Sequence, residues 1–283
     1  MLKNNWKEGF KVTNYRVDLH IHSNYSDGTL SVNEIISAAK KAELRLVAIA
    51  DHNIIEGSKD LLKKCENTSL KAISAVELDA MDHGRNIHIL AYDFDITHDE
   101  FVAFIKENRK KLDNISVNLI KKMTKDYPLE NFSVASFEAY THKPKEGGWK
   151  ALQYFRDLGI TKDLYEGMTL YDTYACSYES AGFSNVETVC SLIKKAGGYA
   201  VLAHPGITFK NEPLEAYLAA LYKSGIEGIE CYYPKHSQTV ERQCLAFCKE
   251  HGLYVTSGSD CHGDFGSIEI GAFATKKEKL ALW

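Results

Sequence analysis

Two kinds of hydrophobic pattern alternate along the chain. Short runs rich in β-branched and aromatic residues predict strands, and stretches with apolar positions three and four residues apart predict amphipathic helices. The predicted strands cover residues 15–21, 44–50, 71–77, 86–92, 199–204, 225–232 and 253–257. Because helical stretches alternate with these strands, the order predicts parallel strands joined by right-handed crossovers, as in an α/β barrel or an open sheet.

The predicted helices and one irregular region divide the chain into parts. The helices cover residues 31–42, 186–196, 214–223 and 238–251, and Ser31 with Glu34 predicts a capping box at the start of the first helix. Residues 97–183 interrupt the alternation, because they contain a basic helical run at 100–125 and no convincing strand. We therefore predict the first part of a barrel over residues 1–96, a helical insertion that caps the substrate site over 97–183, and the second part of the barrel over 184–283.

Length and composition are those of an ordinary globular protein. The chain has 283 residues, of which 45% are hydrophobic and 25% charged, enough for one barrel domain with an insertion or for two smaller domains. The net charge of −4 gives no support for extended contact with a nucleic acid backbone, although it is compatible with a local basic pocket. Nothing in the composition indicates an oligomeric state.

The cysteines and the hydropathy of the chain indicate the cellular compartment of the protein. The seven cysteines are odd in number, irregularly spaced and without a CxxC pair, which is typical of reduced thiols in the cytosol. Residues 1–11 are polar and lack the apolar core of a signal peptide, and no apolar run approaches the length of a membrane span. We expect a cytoplasmic protein without a membrane partner.

Side chains that commonly bind metal ions recur where the predicted strands end. They are His20 and His22 at the first strand, Asp27 on the turn that follows, His52 after the second, Glu77 at the end of the third, His88 within the fourth, His204 at the end of the fifth, and Asp260 and His262 after the seventh. The carboxyl ends of barrel strands converge on one face, so we expect these side chains to meet there. Residues two apart on a strand share a face, which lets His20 and His22 reach the same cation.

Each of these residues also has a simpler interpretation when taken alone. His88 is compatible with a hydrogen-bonded core histidine, Glu77 with a helix cap, and Asp27 with a residue that only stabilises its turn, while Asp51 could orient His52. Burying so many charged and imidazole groups without partners is costly, and bound cations would offset that cost. The group as a whole therefore predicts a metal centre.

At these residues the sequence resembles the PHP family, which is named for its polymerase and histidinol phosphatase members. The matching segments are DLHIH at 18–22, SDG at 26–28, ADHN at 50–53, VEL at 76–78, IHIL at 87–90, LAHPG at 202–206 and GSDCH at 258–262. The resemblance implies an α/β fold, a distorted seven-stranded TIM-like barrel, which agrees with the number of predicted strands. It also implies a metal-dependent phosphoesterase.

The resemblance further implies how two or three divalent ions would be held. His20, His22, Glu77 and Asp260 would bind the first ion. Glu77 would bridge to a second ion that His88 and His204 complete, and Asp27, His52 and His262 would bind a third. Family members use zinc, manganese or iron, and mixed nitrogen and oxygen ligands do not choose among these metals.

Such a centre supports attack of a metal-bridging hydroxide on phosphorus. The candidate catalytic residues are Glu77 as the bridge, His52 at the third ion, and His236 as a substrate contact or proton donor. The family's small-molecule phosphatases usually carry an Arg-x-His motif in the insertion, whereas residues 147–152 read GGWKAL here. The candidate substrate contacts are Arg85, Lys150, Arg109, Arg156, Trp149 and Tyr233, although a solvated surface charge is an alternative for each basic residue.

The leading hypothesis is hydrolysis of a small phosphorylated metabolite: a nucleotide, a nucleoside bisphosphate or a sugar phosphate. A second hypothesis is cleavage of a phosphodiester, either a cyclic sugar phosphate or the end of an oligonucleotide. Histidinol phosphate is a further candidate substrate, and amidohydrolase activity is a weaker alternative. A hypothesis of another class is a non-catalytic metal-binding module.

His204 offers a direct test of the predicted centre. Substituting His204→Ala should lower the metal content of the purified protein and abolish hydrolysis, because a ligand of the second ion would be lost. Metal content is measured by elemental analysis and turnover by phosphate release. Unchanged turnover would reject His204 as a ligand.

Overall fold

A computed structural model describes residues 15–210, 212–273, 275–276 and 280–282. The polar segment 1–11 lies outside these residues. The strands are β1 (Arg16–Ile21), β2 (Leu44–Ile49), β3 (Lys71–Ala72), β4 (Ala75–Asp82), β5 (Arg85–Tyr92), β6 (Tyr199–Leu202), β7 (Gly228–Tyr232), β8 (Tyr254–Ser257) and β9 (Thr275–Lys276).

The helices fall between and beside these strands. They are α1 (Val32–Lys41), α2 (Glu56–Cys65), α3 (Asp99–Met123), α4 (Val134–Ala139), α5 (Lys150–Asp157), α6 (Leu164–Thr173), α7 (Val186–Lys195), α8 (Pro205–Thr208), α9 (Leu214–Lys223) and α10 (Gln238–His251). Short 3-10 turns lie at Pro144–Glu146, Tyr178–Ser180 and Gly263–Phe265. Over the described part of the chain, no helix is both long and apolar enough to cross a bilayer.

The strands form two sheets, which confirms an α/β fold. One sheet has the order β3-β2-β1-β9 and the other β4-β5-β6-β7-β8. Over the described residues, they do not join into one closed seven-stranded barrel, but they approach each other at the end where the predicted ligands lie. There His22 N–H donates to the carbonyl of Cys261 at 2.9 Å, and Asn53 N–H donates to the carbonyl of Glu77 at 2.8 Å.

The expectation of parallel strands throughout is wrong at β4, β5 and β6. β4 pairs antiparallel with β5, and β5 pairs antiparallel with β6. The cause is a two-residue turn, in which His83 has φ 46° and Gly84 has φ 81°. Positive φ at both positions is typical of the tight turn that joins antiparallel strands. The predicted strand 71–77 is also divided, since β3 pairs with β2 and β4 belongs to the other sheet.

Among the residues that the structure describes, the buried hydrophobic side chains form three clusters that explain how these elements pack. The largest cluster includes Leu19 and Leu46 from the first sheet and Leu78 and Ile89 from the second, so it joins the two sheets. A second cluster packs α1 and α2 against β2. The third takes its buried members from residues 112–183 and lies among α3, α4 and α5. Residues 97–183 thus contain a core of their own, while the exact domain boundaries at 96/97 and 183/184 stay a prediction.

The predicted capping box at the start of α1 is present. Ser31 Oγ accepts the N–H of Glu34, and the Glu34 carboxylate accepts the N–H of Ser31 at 2.7 Å. We expect Ser31→Ala to lower the free energy of unfolding by about 1 kcal/mol, because a helix N-terminal N–H loses its acceptor. Urea denaturation measures this loss. Ser37→Ala is the matched control, since Ser37 Oγ only donates to the Asn33 carbonyl within the helix, and an equal loss in both variants would contradict the capping role.

Candidate metal centre

The strands bring the predicted ligands to one end of the two sheets. His20 lies in β1 and His22 directly after it, and His52 follows β2. Glu77 lies inside β4, not at its end as predicted, because β4 continues to Asp82. His88 lies in β5, His204 follows β6, and Asp260 and His262 follow β8. All of them are buried or partly buried.

Three atoms of the first group, from His20, His22 and Glu77, have the spacing of ligands around one ion, and Asp260 lies beside them. His20 Nε2 lies 3.1 Å from His22 Nε2 and 3.2 Å from Glu77 Oε2, and the latter two atoms are 3.3 Å apart. Asp260 Oδ1 lies 3.2 Å from His22 Nε2 and 3.6 Å from His20 Nε2. Four atoms that surround an ion tetrahedrally at about 2.1 Å lie about 3.4 Å from one another. The side chains therefore fit a divalent cation.

A second group forms around the other oxygen of Glu77. Glu77 Oε1 lies 3.0 Å from His88 Nδ1 and 3.0 Å from His204 Nε2. The hairpin explains the position of His88, because residue 88 pairs directly with Asp79 and lies diagonal to Glu77 on the same face of the sheet. The two carboxylate oxygens of Glu77 thus face two separate groups of imidazoles, as a bridging ligand would.

A third group surrounds Asp27. Asp27 Oδ2 lies 3.4 Å from His262 Nε2, and Asp27 Oδ1 lies 3.6 Å from His22 Nδ1. One ligand atom from each of Asp27, His52, His262 and His22 lies within 4.8 Å of the others. Within the described chain, Asp27 Oδ1 and His22 Nδ1 are buried without a hydrogen-bond partner. Buried polar atoms in this condition are costly, and an ion between them would remove that cost.

The electrostatics of the cluster follow from its mixture of imidazoles and carboxylates. Burial alone would lower the pKa of His22, but its bonds to Asp260 and Glu77 raise that pKa to about 10. Burial lowers the pKa of His52 to about 4, so this imidazole is neutral at pH 7. Despite burial, the surrounding histidines hold the pKa of Glu77 well below its usual range. Since a metal ligand must be unprotonated, cation binding would displace the proton from His22.

Two carboxylates that contact the predicted ligands were not predicted from the sequence. Glu230 Oε1 lies 3.0 Å from His20 Nδ1, and Asp79 Oδ1 lies 3.3 Å from His88 Nε2. Both carboxylates are fully buried in strands, β7 and β4. A charged residue within an apolar strand was the signal that could have identified them. Tyr233, predicted as a substrate contact, donates its hydroxyl to Asp260 Oδ2 at 2.8 Å.

Two further residues differ from expectation. The Nε2 atom of His236 accepts the N–H of Gly206 at 3.1 Å, and its Nδ1 lies 3.0 Å from the carbonyl oxygen of Cys231. Because both ring nitrogens are bonded to the backbone, the arrangement does not support His236 as a proton donor. Asp51 does not orient His52. It accepts hydrogen bonds from Ser23 and Ser26 and so holds the turn that carries Asp27.

Three predicted substrate contacts line a cavity of about 730 Å³ beside the cluster: Arg109, Trp149 and Lys150. The Trp149 ring centroid lies 5.7 Å from that of His52, and the Arg109 guanidinium lies 5.4 Å from the Trp149 ring. Lys150 Nζ donates to the carbonyl of Glu138 at 3.0 Å.

The other two predicted arginines are not brought to the cluster. Arg85 forms an ion pair with Glu212 at 2.8 Å and lines a separate cavity of about 270 Å³. Arg156 pairs with Asp157 at 2.6 Å and with Glu146. Both guanidinium groups pair with carboxylates, and neither residue lines the cavity beside the cluster, so neither prediction receives support.

The sheets and the histidine-carboxylate cluster agree with the resemblance noted in the sequence. The chain belongs to the PHP domain family, whose model matches residues 18–200. It is 28% identical over 265 residues to a 5'-3' exoribonuclease of Haemophilus influenzae, covering 90% of this chain and 93% of the relative. It is 26% identical over 253 residues to a 3',5'-nucleoside bisphosphate phosphatase of Chromobacterium violaceum, covering 87% of each.

A solved structure supports the fold. A candidate metal-dependent phosphoesterase from Bifidobacterium adolescentis superposes with a TM-score of 0.75 over 92% of each chain, at 23% sequence identity. This likeness concerns the fold alone.

The position of Glu77 generates a test of the centre. Glu77→Gln should reduce the number of ions bound per chain and weaken the binding of those that remain, because an amide oxygen is a poorer ligand and an amide nitrogen is none. Titration with Zn²⁺ or Mn²⁺ followed by elemental analysis measures both. The control Glu227→Gln carries the same change outside the cluster. Equal metal content in both variants would contradict the bridging position.

Proposed function

We propose that this protein hydrolyses phosphate esters of small phosphorylated metabolites in the cytoplasm, with two or three divalent ions of manganese, zinc or iron at the cluster. The observation that carries the proposal is Glu77, whose two oxygens face separate groups of imidazoles at 3.0–3.3 Å. Divalent ions at such positions supply a water of lowered pKa and neutralise charge on phosphate oxygens.

The roles of the side chains follow from where they lie. His20, His22 and Asp260 would hold the first ion, His88 and His204 the second, and Asp27, His52 and His262 the third. His52, which is neutral at pH 7 and 13% exposed, lies between the cluster and the cavity. It is therefore positioned to contact a phosphate oxygen of a substrate that enters from the cavity.

The cavity favours a substrate that contains a ring. Its walls include Trp149, Phe137, Tyr171 and Tyr178, and its volume of about 730 Å³ is within the usual range of small-molecule sites. Aromatic walls bind the face of a base by stacking, whereas a sugar phosphate needs many polar partners. We therefore favour a nucleotide or nucleoside bisphosphate, with residues 97–183 acting as the substrate cap.

Cleavage of a diester at an oligonucleotide end is the second candidate. Tyr25, which is 43% exposed, stands at the same cavity and offers a surface on which a further base can stack. The name of the relative from Haemophilus influenzae, an exoribonuclease, supports the same candidate function. Only the end of an oligonucleotide would enter the cavity, so this activity does not require extended contact between the protein and a nucleic acid backbone.

A panel of substrates tests the proposal. Metal-loaded protein is incubated with nucleotides, nucleoside bisphosphates, sugar phosphates, histidinol phosphate, cyclic phosphates and short oligonucleotides, and the release of phosphate or mononucleotide is measured. We expect hydrolysis of base-containing substrates, abolished by a chelator and restored by metal. His204→Ala is the inactive control. Metal binding without hydrolysis of any substrate would instead indicate a non-catalytic module.

Trp149 tests the role of the cavity. Trp149→Ala should raise KM for a nucleotide about tenfold, because stacking of a base on an aromatic ring contributes about 1–3 kcal/mol. The same variant should leave KM for a phosphate ester without a ring nearly unchanged. Steady-state kinetics on both substrates measures the difference. An equal change for both would show that Trp149 supports the metal cluster and not the base.

A further inference from the structure

Glu230 is a fully buried carboxylate that lies behind the predicted ligands. It belongs to β7, and its neighbours Ile229 and Cys231 are also completely buried. A carboxylate in such surroundings is stable only if its oxygens are well bonded. Its contacts therefore show what it does.

One oxygen of Glu230 determines the state of His20. Glu230 Oε1 lies 3.0 Å from His20 Nδ1. A carboxylate accepts hydrogen bonds, so Nδ1 carries a proton, and Nε2 is the nitrogen that would offer its lone pair to a bound ion. Nε2 lies 3.2 Å from Glu77 Oε2, within the first group of ligand atoms. A hydrogen bond of this type fixes both the tautomer and the orientation of an imidazole ligand.

The other oxygen of Glu230 fixes the backbone of His204. Glu230 Oε2 accepts the N–H of His204 at 2.9 Å. His204 has φ 29°, a conformation that residues with a side chain rarely adopt and that the surroundings must enforce. This backbone directs His204 Nε2 towards Glu77 Oε1 at 3.0 Å, in the second group.

The surrounding chain leaves space for this arrangement. A side-chain carbon at Gly258 would collide with the Cβ of His20 and approach Glu230 Oε1 to 2.5 Å. Glycine at this position therefore permits the close pairing of His20 with Glu230.

We propose that Glu230 is a positioning residue that sets the geometry of both ion positions, from the side opposite to Glu77. One oxygen holds a ligand of the first group and the other oxygen holds a ligand of the second. This inference rests on the proposed metal centre. It predicts that a single change at Glu230 weakens metal binding at both positions.

The experiment compares Glu230→Gln with Glu227→Gln. Glutamine at 230 keeps the volume but has one acceptor oxygen, so it cannot accept from both the Nδ1–H of His20 and the N–H of His204. Glu227 precedes the same strand and accepts the N–H of Ala200 at 3.3 Å, away from the ligands. We expect Glu230→Gln to weaken binding of Zn²⁺ about 10–100-fold, and Glu227→Gln to leave it unchanged. Competition with a chromogenic chelator measures the Kd, and the Tm of the metal-free proteins monitors folding.

The outcomes separate this inference from the proposed function. Wild-type protein that binds no metal would overturn the proposed centre itself. If the wild-type and Glu230→Gln proteins bind Zn²⁺ with equal Kd, only the role of Glu230 is overturned. This holds even if the Tm of the metal-free Glu230→Gln protein is lower than that of the wild type.

If the Glu230→Gln variant does not fold, a measurement on the wild-type protein tests the same role of Glu230. NMR of the zinc-loaded protein with ¹⁵N-labelled histidine should show a His20 Nδ1–H proton that exchanges slowly with water, because it is bonded to a buried carboxylate. A rapidly exchanging Nδ1–H proton would overturn the proposal.

Discussion

The structure depends on keeping several carboxylates and imidazoles together in a place with little water. Glu77 is fully buried, and five imidazoles lie within 3.0–3.3 Å of its two oxygens. Removing such groups from water is costly, and only close pairing of opposite charges offsets the cost. Pairing among the side chains is incomplete, because Asp27 Oδ1 and His22 Nδ1 lie 3.6 Å apart and have no hydrogen-bond partner within the described chain. Cations bound at the proposed centre would complete the compensation, so the stability of this end of the molecule and its proposed chemistry would have the same origin.

The arrangement of the strands makes that concentration of charge possible. β1 and the segment after β8 approach each other through the bond between His22 and Cys261, and the segment after β2 approaches β4 through the bond between Asn53 and Glu77. The two sheets therefore meet at the cluster although they do not form a continuous barrel. The antiparallel hairpin of β4 and β5 then places His88 beside both Glu77 and Asp79.

Residues 97–183 contact the cluster through a turn of their own. Gly147 and Gly148 have φ of 71° and 67°, and the N–H of Gly148 donates to the carbonyl of Asp27 at 2.8 Å. Gln153, fully buried, holds the same turn by donating to the carbonyl of Gly147 at 2.8 Å. Trp149 follows directly and reaches His52. Through these contacts, the segment that differs from the Arg-x-His pattern places an aromatic ring where the substrate would enter.

The sequence by itself determined the α/β class, the capping box of α1 and the set of side chains that gather at one end. These follow from local periodicity and from residue types at strand ends, which depend on short-range geometry. The tertiary structure alone decided that β4 and β5 are antiparallel, that Arg85 is paired with Glu212, and that His236 is bonded to the backbone on both nitrogens. It also decided that Glu230 and Asp79 lie beside His20 and His88. Such features depend on partners distant in the chain or across a sheet, and a linear pattern of hydrophobic and polar residues does not specify which buried groups will face one another.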